Sequence, residues 1–452
     1  MEPTSSASIK AVRWYLAALV AVSVVRAMTL SVTPGEALNY TGFVAPAWGE
    51  ALSHFDVNNH VLNTLLVRIS TARFHLTELS MRLPSLLAGV LYLWVVYRLA
   101  RRWFGEGVGF VAVVGLLTLN PMLIDALSEA RGYGMALAFW LLALDLILQA
   151  TQEFSVRNLN LAAVCLGLSV TASLAFAAPA CALLLVSMLW FSGERDSRGR
   201  RPYLPHLMFI TLFVLMTIPV NRAQWATLGI GATSLRQTLN ELTALSLGSS
   251  LKVLAAAVRI GVGFAALAGL GVALSQWRNR TSALLAITGA VLPVTLVMLL
   301  GAHRYLRTPF PQQGAIYLLP VLFLFLSAVF LKKQKSTAQI GYLVLAGLLL
   351  VRCATLFPFG PYAGGPYSGG RTVAKMLRKT VGTGNVRVGV SRDAEAILNY
   401  YRLRYRQANW QPDAKKLDAP YDYYVLTPVD AQLIEQRHLH VIYRDTGFAL
   451  AR

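Results

Sequence analysis

The chain alternates between long apolar blocks and short polar segments, a pattern that predicts a bundle of membrane-spanning helices. About eleven blocks approach the 20 or so residues that a helix needs to cross a hydrocarbon core about 30 Å thick. The predicted spans are 13–32, 83–100, 108–124, 132–150, 158–173, 174–191, 203–221, 251–275, 282–301, 314–331 and 338–357. The run 158–191 is divided because a single crossing does not need about 34 residues.

The polar segments predict the remaining elements. The long segment 33–82 is expected outside the membrane, with short interfacial helices. Residues 358–370 form a Gly/Pro linker that cannot continue a helix. Beyond it, helices at 371–380, 393–406 and 429–436 and strands at Val386–Val390, Tyr423–Leu426 and His440–Tyr443 are predicted. The predicted fold is an all-α polytopic membrane domain, 1–357, followed by a small extracytoplasmic α/β domain, 371–452.

Composition and charge agree with this fold class. Of the 452 residues, 56% are hydrophobic and 14% charged, against about 25% charged in soluble domains, which excludes soluble, disordered and fibrous proteins. The net charge is +20, and basic pairs such as Arg101–Arg102 and Lys332–Lys333 directly follow spans. Basic residues are retained in cytoplasmic loops, so we expect a multi-pass plasma membrane protein. Its amino terminus would be cytoplasmic, and no nucleic acid partner is expected.

The first candidate for chemistry is an acid that follows the first span. Glu36 lies in TPGEALNY, where Pro34 interrupts the helix, and Asn39 and Tyr40 follow on the face of Glu36. The pattern is typical either of a solvated acid at a helix amino terminus or of a functional carboxylate at the lipid–water boundary.

A second candidate is the segment NPMLIDALSEARGYG at 120–134. Asp125 and Glu129 lie one helical turn apart on one face, and Arg131 and Tyr133 follow. The acids are either exposed loop charges or site residues. The Arg131 guanidinium is suited to binding phosphate.

Two further groups complete the candidates. Asn59 and His60 are expected to bind substrate or to cap a helix, because one histidine and one carboxylate are too few ligands for zinc. Arg304 and Arg307 after the ninth span are either interfacial anchors or phosphate ligands.

Several common site signatures are missing from the sequence. It contains no P-loop, no HExxH and no GxSxG, and its three cysteines, Cys165, Cys181 and Cys353, all lie in apolar blocks. Neither a disulfide framework nor a cysteine metal site is predicted.

The order of these motifs resembles a known family. ELSMRLPSLLAGVLYLWVVYRLARRWFG at 78–105, LNPMLIDALSEARGYG at 119–134 and TPFPQQGAIYLLPVLFLFL at 308–326 are similar to GT-C glycosyltransferases. The similarity extends over about 300 residues. It is greater to the bacterial branch related to protein O-mannosyltransferases and lipid A aminoarabinose transferase.

The resemblance implies transfer of a sugar from a polyprenyl-phosphate carrier on the outer side of the membrane. Glu36 stands where these enzymes have an essential acid, although many relatives have Asp-Glu where this chain has Gly35–Glu36. Val61 follows Asn59 and His60 where the family has a proline, and no arginine lies near Gln313.

The resemblance and the chemistry that it implies assign roles to the candidate residues. Glu36 is the expected base of an inverting displacement, with Asp125 or Glu129 orienting the acceptor and with Arg131, Arg304 and Arg307 binding phosphate. Asn39, Tyr40, Asn59, His60 and Tyr133 would contact the substrates. No cofactor is required, and a divalent metal is compatible with this site but not indicated.

Two other functions are consistent with the sequence. A transporter or flippase of a lipid-linked sugar would also place charges at the interface, but no repeat relates the two halves of the chain. A non-catalytic glycan-binding subunit is the third interpretation. The expected partners are the lipid-linked donor, membrane lipid and an acceptor that is a glycan, a lipid or a protein.

Overall fold

The structure is a computed structural model that describes residues 3–47, 59–194, 231–247, 252–330, 336–356, 369–382, 384–415, 417 and 419–452. The predicted span 203–221 and most of the linker 358–370 lie outside the described residues.

Apolar helices dominate the described part of the first 356 residues. They are α1 Pro3–Thr29, α2 Pro34–Asn39, α3 Val61–Phe74, α4 Glu78–Phe104, α5 Val108–Thr118, α6 Pro121–Ser128, α7 Tyr133–Gln152, α8 Val156–Ala172, α9 Ala177–Trp190, α10 Leu235–Leu247, α11 Lys252–Ser275, α12 Ala283–Leu306, α13 Leu318–Phe330 and α14 Ser336–Leu356. In the described ranges, six helices are long and apolar enough to cross a membrane, or seven if α5 and α6 form one bent span. The predicted fold class, an apolar helical membrane protein with a small C-terminal sheet, is confirmed, whereas the predicted count of about eleven spans is not.

One predicted span is divided in the structure. The range 108–124 contains α5 and α6, whose axes differ by 66°. Asn120 caps α6 by accepting a hydrogen bond from the Leu123 N–H at 3.4 Å, and Pro121 occupies its first turn. Proline fits a first turn because its missing N–H would have no helical partner there. After the break, α6 contacts α1, α4 and α7, and its one acid, Asp125, pairs with Arg26 of α1.

The described part of segment 33–82 contains the short helices predicted for it. Helix α2 continues into a π-helical turn, Tyr40–Val44, and α3 packs along α4. The carboxyl end of α1 and the amino ends of α2 and α4 therefore meet on one side of the bundle.

A buried aspartate paired with two partly exposed arginines fixes the opposite half of α4 against α7. Asp145 is fully buried in α7 and accepts hydrogen bonds from Arg102 at 2.9 Å and from Arg98. A charged side chain inside an apolar helix is costly unless it is paired, so these arginines account for Asp145.

The C-terminal domain is the predicted α/β unit with two additional strands. Its elements are α15 Gly370–Val381, β1 Val386–Val390, α16 Arg392–Arg404, β2 Trp410–Asp413, β3 Tyr423–Leu426, α17 Gln432–Gln436, β4 Val441–Arg444 and β5 Ala449–Ala451. The sheet order is β2-β1-β3-β5-β4, with β2, β1 and β3 parallel and β5 antiparallel to β3 and β4. The pattern did not predict β2 and β5, since both are short and lack alternation.

The C-terminal domain shares one apolar core with residues that follow α1. Val32 and Ala37 pack in the same buried cluster as Val373, Ile397 and Tyr400. The Tyr40 and Tyr400 rings meet edge to face at 5.4 Å. The domain is therefore docked onto α2, the helix that carries Glu36.

Candidate active site

Glu36 is fully buried because the start of α2 folds its side chain inward. Thr33 caps the helix, its hydroxyl accepting a hydrogen bond from the Glu36 N–H at 3.3 Å. The Thr33 N–H in turn donates to Glu36 Oε2 at 2.9 Å. This reciprocal capping box, with Pro34 in the first turn, positions the carboxylate before any tertiary contact is made.

Arg82, which the sequence analysis did not assign to the site, is the tertiary partner of Glu36. Its Nε donates to Glu36 Oε1 at 2.7 Å and its Nη2 donates to Oε2 at 2.6 Å. The Ala130 N–H donates to Oε1 at 2.9 Å, so each carboxylate oxygen accepts two hydrogen bonds. Burial raises the pKa of Glu36, but Arg82 and the backbone donors more than offset it, and the pKa lies below its ordinary value.

Arg82 also closes the end of α1. Its guanidinium donates to the Ala27 carbonyl oxygen in the last turn of α1 at 3.2 Å, and to those of Leu30 at 2.9 Å and Ser31 at 2.8 Å just beyond the helix. Carbonyls in the last turn of a helix have no partner within the helix, and Arg82 supplies one. Arg82 lies directly before the predicted span 83–100 and one turn into α4, and a charge at the edge of an apolar block was the signal for this role.

The peptide of Ala130 joins the two acidic segments. Its N–H binds Glu36, and its carbonyl accepts hydrogen bonds from Asn39 Nδ2 at 3.2 Å and Asn63 Nδ2 at 3.0 Å. Asn59 lies nearby through Thr64, whose hydroxyl donates to Asn59 Oδ1 at 3.1 Å. Residues on both sides of Ala130 are therefore held in place, and Asn63 is a second site residue that was not predicted.

Glu129 is the acid that directly precedes Ala130 in the chain. It follows α6, is 8% exposed, and its Oε1 has no hydrogen-bond partner within the described residues. Burial, followed by the negative charges of Asp125 and Glu36, raises the pKa of Glu129 to about 8, against the opposing effect of Arg131 and Arg82. Glu129 is therefore largely protonated at neutral pH, unlike Glu36.

Asp125 is paired with an arginine from the first span. Arg26 Nη2 donates to Asp125 Oδ1 at 2.5 Å, and both residues are buried. Arg26 lies inside the predicted span 13–32 and had been given no role. The pair ties α1 to α6 beside Glu129.

Arg131 lies against Gly35 in the first turn of α2. Its Cζ is 5.1 Å from the centre of the Tyr133 ring, and its Nη1 donates to Gln313 Oε1. A β-carbon at Gly35 would lie 2.6 Å from Arg131 Nε. The glycine that replaces the first acid of the family pair therefore makes room for this guanidinium.

His60 packs behind Tyr133. The two rings meet edge to face at 5.0 Å, and Gly132 adopts a φ of +75° with its α-carbon facing the Ala172 carbonyl and the His60 ring. Burial and the charge of Arg131 lower the pKa of His60 to about 3, so its imidazole is neutral. Its Nδ1 has no hydrogen-bond partner in the described part of the chain.

The two remaining predicted arginines are placed differently. Arg304 and Arg307 are both exposed at the end of α12, outside the buried group of charges. Arg307 ends that helix in the left-handed conformation, with a φ of 54°.

Six charged residues of this site form a set that we call the charge cluster. It consists of three acids and three arginines: Glu36, Asp125, Glu129, Arg26, Arg82 and Arg131. The cluster is neutral when Glu129 is ionised and carries one positive charge when Glu129 is protonated. Across the described ranges, no three His, Cys, Asp or Glu side chains come together as metal ligands.

Comparison with known proteins supports the predicted resemblance. Residues 61–221 match the family model described as dolichyl-phosphate-mannose-protein mannosyltransferase. The match covers about a third of the chain and confirms the resemblance there. It includes Arg82, Asp125, Glu129 and Arg131, whereas Glu36 precedes it.

Several solved structures are similar at low sequence identity. ArnT from Cupriavidus metallidurans in the apo state is 16% identical, with a TM-score of 0.47 over 98% of each chain. ArnT from the same organism bound to undecaprenyl phosphate is 15% identical, with a TM-score of 0.47 over 97% of each chain. Mycobacterial arabinofuranosyltransferase AftD is 15% identical, with a TM-score of 0.45 over 96% of this chain and 39% of AftD. No curated protein sequence matches the chain.

Proposed function

We propose that this protein is an integral membrane glycosyltransferase that moves a sugar from a polyprenyl-phosphate-linked donor to an acceptor on the extracytoplasmic face. The observation that carries the proposal is the buried Glu129 carboxyl, which has an unpartnered oxygen and a raised pKa among arginines at the ends of apolar helices. The family match over residues 61–221 supports the same class of reaction. At this position a donor phosphate can meet the cluster while its lipid chain stays in hydrocarbon.

The proposed reaction is a single displacement that inverts the anomeric carbon. The acceptor hydroxyl forms a bond to that carbon as the bond between the carbon and the phosphate oxygen breaks, releasing polyprenyl phosphate. The hydroxyl proton passes to Glu129. A base works best when its pKa lies near the working pH, and the pKa of Glu129 at about 8 meets this condition.

Glu36, the base expected from the sequence, is better suited to positioning. Both of its oxygens already accept two hydrogen bonds, and its pKa is lowered, so it has little capacity to take a proton. Its bond to the Ala130 N–H instead fixes the residue next to Glu129. In this assignment Glu36 and Arg82 hold the base in place.

Arg131 is the proposed phosphate ligand. It is partly exposed, and its guanidinium can offer two parallel N–H donors to phosphate oxygens. The phosphate gains one negative charge as it leaves. Glu129 takes up the proton in the same step, so the cluster changes from neutral to a charge of +1 and stabilises the leaving group.

The first test is turnover by the Glu129→Gln variant. Purified protein would be given polyprenyl phosphate carrying labelled hexoses or pentoses, with a membrane extract as the acceptor source, and released polyprenyl phosphate would be measured. We expect the substitution to lower kcat by about 10²–10⁴-fold, the usual contribution of a general base. Thermal stability should be unchanged or higher, because Gln is a neutral side chain of the same shape.

Two variants serve as comparisons. Glu153→Gln, at an exposed position after α7, should retain wild-type turnover. Glu36→Gln should lower thermal stability by about 3 kcal/mol, since it leaves Arg82 buried without its anion. The base would be Glu36 if Glu129→Gln kept full turnover while Glu36→Gln lost turnover without losing stability. Movement of labelled sugar across liposomes without any transfer would support a transporter instead.

The pH dependence gives a second test. A base acts in its ionised form, so kcat/KM should rise with pH and level off above a midpoint near the Glu129 pKa of about 8. The rise should disappear in Glu129→Gln. A wild-type profile that is flat between pH 6 and 9 would contradict the assignment.

A further inference from the structure

Glu78, the first residue of α4, is a buried acid to which the C-terminal domain binds. It is 2% exposed, and its Oε1 accepts hydrogen bonds from Arg371 Nε at 2.7 Å and from the Tyr401 hydroxyl at 3.1 Å. Its Oε2 is paired with Arg404. A carboxylate of the membrane domain is therefore neutralised entirely by α15 and α16 of the C-terminal domain.

The same C-terminal residues hold the end of α1. Arg371 Nη2 donates to the Met28 carbonyl at 2.9 Å, and the Arg371 N–H donates to Ser31 Oγ at 3.1 Å. The Tyr401 hydroxyl accepts a hydrogen bond from the Val32 N–H at 3.2 Å. Val32 immediately precedes the Thr33 cap, so the C-terminal domain controls where α2 begins.

Only a few residues of the chain separate these contacts from Arg82 and Glu36 of the charge cluster. Glu78 and Arg82 are one turn apart on the same face of α4. Arg82 contacts the carbonyl oxygens of Leu30 and Ser31 while Arg371 and Tyr401 hold the neighbouring positions. The segment from Met28 to Thr33 is thus clamped between Arg82 and the C-terminal domain, and Glu36 follows three residues later.

We infer that Tyr401 is a positioning residue for the charge cluster, and that the C-terminal domain forms part of the active unit through it. One hydroxyl joins Val32, which leads into α2, to Glu78, which leads into Arg82. Through these two segments Tyr401 sets the separation of Glu36 and Arg82, and through Ala130 it sets the position of Glu129. The expected effects of Tyr401 on turnover rest on the proposed transferase function. Its expected effects on backbone structure rest on the contacts alone.

The decisive variant is Tyr401→Phe in the full-length protein, which removes the hydroxyl and keeps the buried ring. Tyr400→Phe is its matched control, because Tyr400 is the adjacent buried tyrosine and its hydroxyl has no hydrogen-bond partner in the described residues. We expect Tyr401→Phe to lower kcat at least about tenfold with little change in KM for the donor, since small displacements of catalytic groups reduce turnover strongly. The midpoint of its pH–rate profile should also move, because the charges around Glu129 shift.

A measurement that does not depend on catalysis separates this inference from the proposed function. Backbone hydrogen exchange over residues 30–39 should be faster by about fivefold or more in Tyr401→Phe than in Tyr400→Phe, since the Val32 N–H loses its acceptor. Equal exchange and equal turnover in the two variants would overturn the inference. If the wild-type protein transfers no sugar, the proposed function fails, and the exchange comparison still decides the role of Tyr401.

If Tyr401→Phe folds poorly, Arg371→Lys provides the same comparison. Lysine keeps the charge near Glu78 but cannot also reach the Met28 carbonyl with a second donor. Faster exchange over residues 30–39 in this variant would support the inference, and wild-type exchange would count against it.

Discussion

At the scale of single residues, the site shows how two carboxylates of the same type acquire different chemistry. Glu36 is buried with four N–H donors and stays ionised, whereas Glu129 is buried with an unpartnered oxygen and stays largely protonated near neutral pH. Sequence spacing identified both acids but could not rank them. The pKa of Glu36 is lowered by Arg82 and by the Ala130 N–H, which lie 46 and 94 residues from Glu36 in the chain.

Gly35 provides a residue-scale prediction. A β-carbon at this position would lie 2.6 Å from Arg131 Nε, so Gly35→Ala should displace the Arg131 guanidinium. We expect KM for the labelled donor to rise about tenfold if Arg131 binds its phosphate, because a displaced charge-assisted hydrogen bond costs about 1.5 kcal/mol. The measurement is initial-rate kinetics with varied donor.

Gly42→Ala is the control for this experiment. A β-carbon at Gly42 would meet nothing within 4 Å, although Gly42 lies only seven residues after Gly35. Both variants remove a glycine from a helical turn, so they share the backbone effect. Identical KM values would show that Arg131 does not contribute to donor binding.

At the scale of elements, hydrophobic periodicity predicted most helices because a membrane core demands long apolar runs. It placed one uninterrupted span over 108–124, whereas Asn120 and Pro121 begin a new helix there. The partners of the acids were not predictable, since Arg26 lies inside the predicted span 13–32, Arg82 lies directly before the span 83–100, and the packing of distant helices decides what they contact. Strands β2 and β5 were missed because three or four residues carry too little pattern.

The pairing of α4 with α7 gives a prediction at this scale. Asp145→Asn removes the shared anion of Arg98 and Arg102, whose side chains are 27% and 34% exposed, and should lower the free energy of unfolding by about 2 kcal/mol. Thermal unfolding in detergent measures the change. Glu106→Gln removes the anion from the more exposed pair with Arg101 and should cost less than about 1 kcal/mol. Equal losses in the two variants would show that Asp145 is not a structural anchor.

At the scale of the whole molecule, the charge cluster gathers the ends of several helices on one face of the bundle. The end of α1, the start of α4, the end of α6 and the start of α7 all meet there, as an alternating path through a membrane requires. The sequence predicted this side to be extracytoplasmic from the distribution of basic residues. It could not predict that the C-terminal domain covers α2, because that contact depends on the two tertiary folds.

Side-specific labelling tests the proposed orientation. Val429→Cys introduces a thiol at a position 75% exposed in the C-terminal domain, and Glu153→Cys introduces one in the turn after α7. In intact cells a membrane-impermeant maleimide should label position 429 and not position 153, and disruption of the membrane should make both reactive. Labelling of position 153 alone would reverse the proposed topology.

The raised pKa of Glu129 has a consequence for how substrate and solvent protons are linked. A phosphodiester donor brings a negative charge beside the Glu129 carboxyl, whose pKa is already raised. Binding of the donor should therefore raise this pKa further. Binding would then draw hydrogen ions from the buffer, and the loaded enzyme would reach its maximal rate only at a pH above that at which the empty one becomes competent. The membrane enzyme would thus bind its donor most readily at neutral or mildly acidic pH and turn it over faster as the surroundings become alkaline.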